Sequence, residues 1–263
     1  VTLQGDLYDG FEAQQTAPAQ SVRGGNVTSR WTRSFGDGGV LQVQAYYDRA
    51  ERGDEVDGSG FKVDTYDVDL QHSSEFGPHA FVWGGGYRQV RYRINGTAQL
   101  FFEPPSRNLS LANVFVQDTV ALSPDVSLIA GVKLEDDPYV RPVLLPNVRV
   151  SWRAAEQVTL WAAASRAVRA PTPFDRDVVE VLGGQRFLVA GGAFRSERLN
   201  AYEVGVKAQP APRALLSVTG FYNDYDRLRS IEPAPATVIP LRWDNRMAVH
   251  TYGVDACLEG QVT

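Results

Sequence analysis

The feature that most limits what this chain can fold into is the rhythm of its interruptions. Strand-like stretches of about ten residues are joined alternately by tight turns and by long polar connections, about a dozen times over. Turn-forming residues mark Gly36-Asp37-Gly38-Gly39, Glu75-Phe76-Gly77-Pro78, Ser123-Pro124-Asp125, Arg153-Ala154-Ala155-Glu156 and Gln209-Pro210-Ala211-Pro212. The long connections fall near 9–23, 51–60, 95–110, 135–142, 168–196 and 231–247. Short turns at one end and long loops at the other describe an antiparallel up-and-down sheet, and the asymmetry is that of a bacterial outer-membrane barrel. Transport or reception at a membrane is the expectation.

Within the stretches, apolar residues recur at every second position, so one face of each strand is apolar and the other polar. Val126, Leu128, Ala130, Val132 and Leu134 form one such stripe, with Lys133 opposite. Tyr202, Val204, Val206 and Ala208 form another, with Glu203, Gly205 and Lys207 opposite. Tyr66, Val68 and Leu70 turn away from Asp67 and Asp69, two carboxylates that a dry core would penalise and a wet lumen would not. The pattern predicts twelve strands, over 1–8, 24–35, 40–50, 62–73, 79–94, 111–122, 126–134, 143–152, 158–167, 198–208, 214–229 and 248–259. Two fit badly: Asp118 interrupts the apolar stripe of 111–122 while Phe115 breaks its polar face, and neither parity is clean in 79–94. A short helix over Thr172–Leu182, with Asp175, Asp177 and Glu180 outward, is a weak competitor inside the longest loop. Turn-to-turn distances vary too widely for a propeller or a solenoid.

Composition removes several classes. The chain is 43% hydrophobic, yet no run approaches the eighteen or so apolar residues of a membrane helix, which excludes a helical membrane protein. Mean hydropathy of -0.25 suits a barrel, where only alternate residues face lipid, and equally a soluble β protein. Aromatics are abundant, and Tyr46, Tyr47, Trp83, Tyr92, Trp152, Tyr222, Tyr225 and Tyr252 near predicted strand ends suit headgroup-level girdles or simply strand propensity. A net charge of -5 argues against nucleic-acid binding. Cys257 stands alone, so neither an intrachain disulfide nor a cysteine metal cluster forms. His72, His79 and His250 are too scattered for a metal site, and no Gly-x-Ser-x-Gly elbow supports hydrolysis. No enzyme activity, metal or cofactor is therefore expected. The start at Val1, without an initiator Met or signal sequence, and the mid-strand look of the last residues suggest a piece of a longer protein.

Several strings carry a family resemblance. Phe115-Val116-Gln117-Asp118-Thr119, Ser165-Arg166-Ala167-Val168-Arg169-Ala170-Pro171-Thr172-Pro173, Leu199-Asn200-Ala201-Tyr202-Glu203-Val204-Gly205, Phe221-Tyr222-Asn223-Asp224-Tyr225 and Tyr252-Gly253-Val254-Asp255, in this order and at this spacing, resemble the barrel of TonB-dependent receptors. The resemblance runs from about Gly24 to the end. It implies an all-β fold: twelve strands of a transmembrane barrel of about 22, with residues 1–263 a partial barrel and the plug domain and barrel termini missing. It implies an outer-membrane active transporter, most readily for a ferric siderophore or other metal chelate, energised by the TonB complex through the missing plug and contacting outer-membrane lipid and lipopolysaccharide.

In such a receptor, binding falls to the long loops and to inward faces near them. Taken from Pro78, Arg88 lies roughly 28 Å up a tilted strand, at the outer rim. Beyond it, Arg91 and Arg93 share a parity suited to meeting an anionic chelate bidentately, with Tyr92, Phe101 and Phe102 adding apolar and cation–π contact. The same arginines equally suit loop carboxylates or lipopolysaccharide phosphates. The loop from Arg166 to Arg198 adds Arg169 and Arg176 as ligand candidates. Pairing of Arg166 and Arg169 with Asp175 or Asp177, which would fix the strand exit, is the structural alternative. The pairs Gly183-Gly184 and Gly191-Gly192 permit hinging. A self-contained twelve-stranded pore or outer-membrane hydrolase and a soluble secreted carbohydrate-binding β protein remain competing readings.

Overall fold

Glycine and proline at the short turns reverse the chain, and every reversal lays the next strand against the last. A computed structural model describes residues 1–13, 19–36, 38–54, 56–139, 142–234 and 236–260. In chain order its strands are β1 (Thr2–Glu12), β2 (Gln20–Ser34), β3 (Val40–Asp54), β4 (Gly60–Phe76), β5 (His79–Asn95), β6 (Leu100–Phe102), β7 (Ser106–Ser123), β8 (Val126–Asp136), β9 (Val143–Ala155) and β10 (Val158–Arg169). A one-turn helix α1 (Pro173–Arg176) follows, then β11 (Val178–Leu182), β12 (Gln185–Val189), β13 (Glu197–Ala211), β14 (Ala214–Ala234) and β15 (Val238–Gly260). No helix among the described residues is long and apolar enough to cross a membrane.

The twelve long strands are the twelve predicted ones, paired antiparallel as a meander, and β12, β11 and β6 continue the sheet beyond β15. Most strands run further than predicted. β14 and β15 reach 21 and 23 residues, so the expected loop 231–247 is largely strand. Outside a bilayer both faces of a strand meet water, so the period-two pattern fades while the ladder hydrogen bonds persist. The turn from β4 to β5 places Gly77 at φ 56, which only glycine adopts without strain. Asp37 of the first predicted turn lies outside the described residues.

The two faces differ as the alternation requires. Val68, Tyr87, Val114, Leu144, Val204, Tyr202 and Val254 are all exposed on one face. Among the described residues the large buried apolar side chains are Tyr92, Val178, Val179, Leu188, Phe194 and Trp243, with Pro171 buried beside α1, and none belongs to those stripes. A soluble sandwich would bury its stripes against a second sheet; here they form one continuous apolar surface, as a wall in lipid does. The opposite face is concave, because β12, β11 and β6 bridge from β15 back toward the β5–β7 hairpin on that side.

Unbroken register across β3, β4 and β5 assigns each residue of these strands to a face. On the outer face Tyr47 opposes Tyr66, and Tyr202, Tyr222 and Tyr252 are directly opposed across β13, β14 and β15. Toward the long loops the outer face then turns charged: Arg49 pairs with Asp64 at 2.7 Å, Arg166 donates to Asn200 and Arg198 pairs with Asp226. The tyrosines mark the outer-leaflet interface. Tyr46, Tyr92 and Tyr225 lie on the inner face, so only part of the predicted girdle is a girdle.

The two misfits have local explanations. Asp118 sits on the outer face near the short turns, where His79 meets it at 2.6 Å. Phe115 lies on the inner face directly opposite Gly84, and a Cβ on that glycine would come within 2.9 Å of the ring. Trp161 opposite Gly205 and Phe221 opposite Gly253 repeat the arrangement, so each inward ring covers a glycine of the neighbouring strand.

Candidate functional site

The connection between β10 and β13 is built by local rules before it touches anything else. Thr172 caps α1, Pro173 opens it and Asp175 closes a capping box: the Thr172 N–H donates to Asp175 Oδ2 at 2.9 Å and the Asp175 N–H donates back to Thr172 Oγ1. The helix stops at Arg176, a single turn where a run over 172–182 had been the weak alternative, and Asp175 and Asp177 are fully buried rather than outward. Val178 and Val179 then continue as strand, since β-branched side chains favour it. Gly183 and Gly184, at φ 59 and 78, turn β11 into β12, so this pair serves a hairpin rather than a hinge. Gly191 is needed for close approach, because a Cβ there would lie 2.0 Å from the Trp243 carbonyl oxygen.

Two other connections meet this hairpin. β6, from the β5–β7 connection, pairs with β11 through Phe102 opposite Val178 and Phe101 opposite Val179. On the other side Leu188 of β12 pairs with Leu241 of β15. Val178, Leu188, Phe194 and Trp243 form the buried centre, with Phe102, Phe187, Ala190 and Leu241 packed around it. This bridge across the concave face is the one apolar core among the described residues.

Charge fixes the bridge to the wall. Asp177 accepts from Arg107 Nε at 2.7 Å and Nη2 at 2.5 Å, a bidentate pair, and from the Tyr92 hydroxyl at 3.2 Å. Asp175 accepts from Arg169 at 3.0 Å and from Arg229 at 3.2 Å. Glu197 Oε1 accepts from Arg169 Nη2 at 2.6 Å and from the Arg229 N–H at 2.9 Å. Burial pushes the Asp175 carboxyl up, but the Arg169 and Thr172 hydrogen bonds outweigh it and hold it below its ordinary value. Arg169 likewise holds Glu197 low. Asn245 joins two connections, accepting from the Arg195 N–H and donating to the Arg195 and Arg227 carbonyls.

The seven residues singled out in the sequence divide. Tyr92, Phe101, Phe102, Arg169 and Arg176 come together in and around the bridge; Arg176 donates to the Phe194 carbonyl at 2.7 Å and lies over the Tyr139 ring. Arg91 and Arg93 do not join them. Unbroken β4–β5 register puts both on the outer face with Trp83 and Tyr87, where Arg91 lies over Tyr66, instead of inward. Arg166 bonds Asn200 on the outer face, so only Arg169 of the two suggested arginines meets a loop carboxylate. Sequence reading missed Arg107, Tyr139, Glu197, Arg229, Trp243 and Asn245. One usable signal was available: Leu241 and Trp243 keep the period-two spacing inside a stretch read as loop.

A concavity of about 760 Å³ lined by Val148, Tyr202, Val204, Tyr222, Tyr252 and Val254 lies on the outer face, where acyl chains rather than cargo would fill it. An antiparallel wall with an apolar outside, a polar inside and long loops folded over its concave face defines a transmembrane β-barrel of the outer-membrane kind. Residues 2–262 match the family described as TonB dependent receptor-like, beta-barrel, and the chain belongs to that family. The siderophore receptor PirA from Pseudomonas aeruginosa superimposes with a TM-score of 0.73 at 18% identity, over 97% of this chain and 50% of that one. A double mutant of the hemophore receptor HasR from Serratia marcescens, in complex with its hemophore HasA and heme, gives 0.83 at 14% identity, over 97% and 49%. The FrpB iron transporter from Neisseria meningitidis, F3-3 variant, gives 0.71 at 13% identity, over 99% and 46%. No curated protein matches the chain by sequence. The chain spans about half the length of these solved receptors, and at such identities the likeness is one of fold.

Proposed function

We propose that this chain forms part of the barrel of a bacterial outer-membrane receptor that binds an iron chelate, a ferric siderophore or a related complex, and imports it with energy delivered by the TonB complex. The family match over residues 2–262 carries this reading. The bridge over the concave face gives it a physical form: β6, β11 and β12 lie where cargo would have to pass, held by ion pairs that can part without unpairing the wall. In this reading the protein makes and breaks no covalent bond. Arg169, Arg176, Tyr92, Phe101 and Phe102 are the ligand-side residues, acting through the shape of the bridge as well as by contact. Arg91 and Arg93 instead face the headgroup layer, where lipopolysaccharide phosphates are their natural counter-ions.

The test is uptake by iron-starved cells that carry the whole protein as their sole chelate receptor. Radioiron delivered as a panel of ferric siderophores and heme should accumulate for at least one member, and dissipating the proton motive force should abolish it. Passive, energy-independent entry of small solutes with no chelate uptake would replace the receptor with a pore.

A further inference from the structure

The chain has eight asparagines, and seven of them lie inside strands and precede a residue that carries a side chain. Asn95 differs on both counts. It is the last residue of β5, and Gly96 follows it outside any strand. Pairing with β4 ends at Asn95 opposite Gly60, so no ladder holds the next amide. Glycine is required at 96, because a Cβ there would lie 2.3 Å from the Leu100 carbonyl oxygen and 2.5 Å from the Phe101 Cα. The same lack of a side chain leaves the Gly96 nitrogen unshielded. Both residues are exposed, and among the described residues neither the Gly96 N–H nor the Asn95 carboxamide makes a hydrogen bond.

The segment that follows is short and closely bonded. The Thr97 N–H donates to the Leu100 carbonyl at 2.8 Å, and Thr97 Oγ1 accepts from the Gln99 and Leu100 N–H groups at 3.2 and 3.1 Å. The Gln99 carbonyl then accepts from the Val181 N–H at 2.7 Å, and Leu100, Phe101 and Phe102 pair with β11. A change in backbone length at Asn95 is therefore passed directly to the bridge. On its own face Asn95 stands two residues beyond Arg93, with Lys62 opposite Arg93. Two cations beside the carboxamide favour the anion formed when the Gly96 nitrogen loses its proton.

We propose that Asn95-Gly96 is a site of spontaneous deamidation, which converts Asn95 to isoaspartate and frees β6 from β11. The Gly96 nitrogen, its proton lost to solvent base, attacks the side-chain carbonyl carbon of Asn95. That N–C bond forms, the bond from the carbon to Nδ2 breaks, and the amino group leaves as ammonia with a proton from water. Water then opens the cyclic imide at one of its two carbonyls. Breaking the nitrogen's bond to the former side-chain carbonyl gives aspartate; breaking its bond to the backbone carbonyl gives isoaspartate, whose main chain is one methylene longer. A turn in which Gly96 already touches Leu100 and Phe101 has no room for that methylene, so β6 loses its register with β11. The bridge thereby loosens as the molecule ages, faster in alkaline surroundings. This chemistry needs only water and this connection, and it stands apart from the receptor reading.

The experiment incubates the whole protein in detergent at mildly alkaline pH, then maps it by mass spectrometry beside a synthetic peptide of residues 91–99. Isoaspartate is scored by electron-transfer fragmentation, and amide exchange is followed at Glu103 and Val181. Asn95 should exchange amide for acid about tenfold faster than any other asparagine, since it alone precedes glycine. Exchange at Val181 should accelerate in step with isoaspartate content. Asn95→Gln should stay amidated and keep its initial exchange rate, and freshly purified Asn95→Asp, which adds charge without length, should exchange like fresh wild type. An Asn95 that stays intact while the peptide converts, or that converts no faster than Asn108, overturns the site. Isoaspartate formation with unchanged exchange at Val181 and Glu103 overturns its action on the bridge, and equal acceleration in fresh Asn95→Asp overturns backbone lengthening as the cause.

Discussion

Replacing Asp177 with alanine should open the bridge while leaving the wall intact. Its carboxylate is 1% exposed and takes two guanidinium hydrogen bonds from Arg107 and one from Tyr92. Removing one member of a buried ion pair costs about 3–5 kcal/mol, because the survivor is left uncompensated. Arg107 is 33% exposed and can recover water, which moves the cost to the low end, about 3 kcal/mol. Each 1.4 kcal/mol is tenfold, so opening of the bridge should rise by about 150-fold. Native-state hydrogen exchange on the whole protein reads this at three amides: Glu103, donating to the Asp177 carbonyl, Val181 to Gln99 and Ala190 to Val178. All three should exchange faster by that factor, while amides at the centre of β9 and β10 keep wild-type rates. The isosteric Asp177→Asn should fall between the two, and Arg107→Met should add little to Asp177→Ala if the two act as one pair. Unchanged exchange at the three amides, or equal acceleration in β9 and β10, would refute the view that this ion pair holds the bridge independently of the wall.

Gly205→Ala puts a Cβ 2.5 Å from the Trp161 ring and should destabilise by about 1–3 kcal/mol, whereas Gly220→Ala, with its nearest neighbour at 3.7 Å, should be near neutral; urea unfolding in detergent distinguishes them. The depressed carboxyls of Asp175 and Glu197 stabilise the fold above their unfolded values of about 3.9 and 4.3, and that contribution is lost as pH falls through their lower folded values. Exchange at the Ala190 amide should therefore accelerate below about pH 4, and a flat profile from neutrality to pH 3 would exclude the effect. Asp137 runs the other way: burial raises its carboxyl, so the β8–β9 connection should tighten as acid protonates it, visible as slower exchange there before the bridge loosens. Arg91→Gln with Arg93→Gln should change chelate affinity by no more than about twofold, since both lie outside the barrel; a tenfold loss would place cargo on that face.

The wall was legible residue by residue because lipid on one side and water on the other impose a two-residue period that survives without any alignment. Asp67 and Asp69 against Val68 and Leu70 are enough to assign four side chains to faces, and register then carries the assignment across neighbouring strands. Above the bilayer that constraint disappears. Arg91, Tyr92 and Arg93 alternate faces as strand geometry demands, yet nothing in their identity says which parity looks inward, and the inward residue proved to be the tyrosine. Asp175 and Asp177 read as outward charges on a short helix until Arg169, Arg229 and Arg107 arrive from strands six to seventy residues away in sequence. The sequence by itself determined the twelve long strands, their short turns, the two faces of their membrane-spanning parts and the family, because each rests on local geometry and alternation. Only the tertiary structure decided that three loops share one core over the concave face, and which arginines meet carboxylates, because ion pairing between loops depends on distances that chain order does not contain.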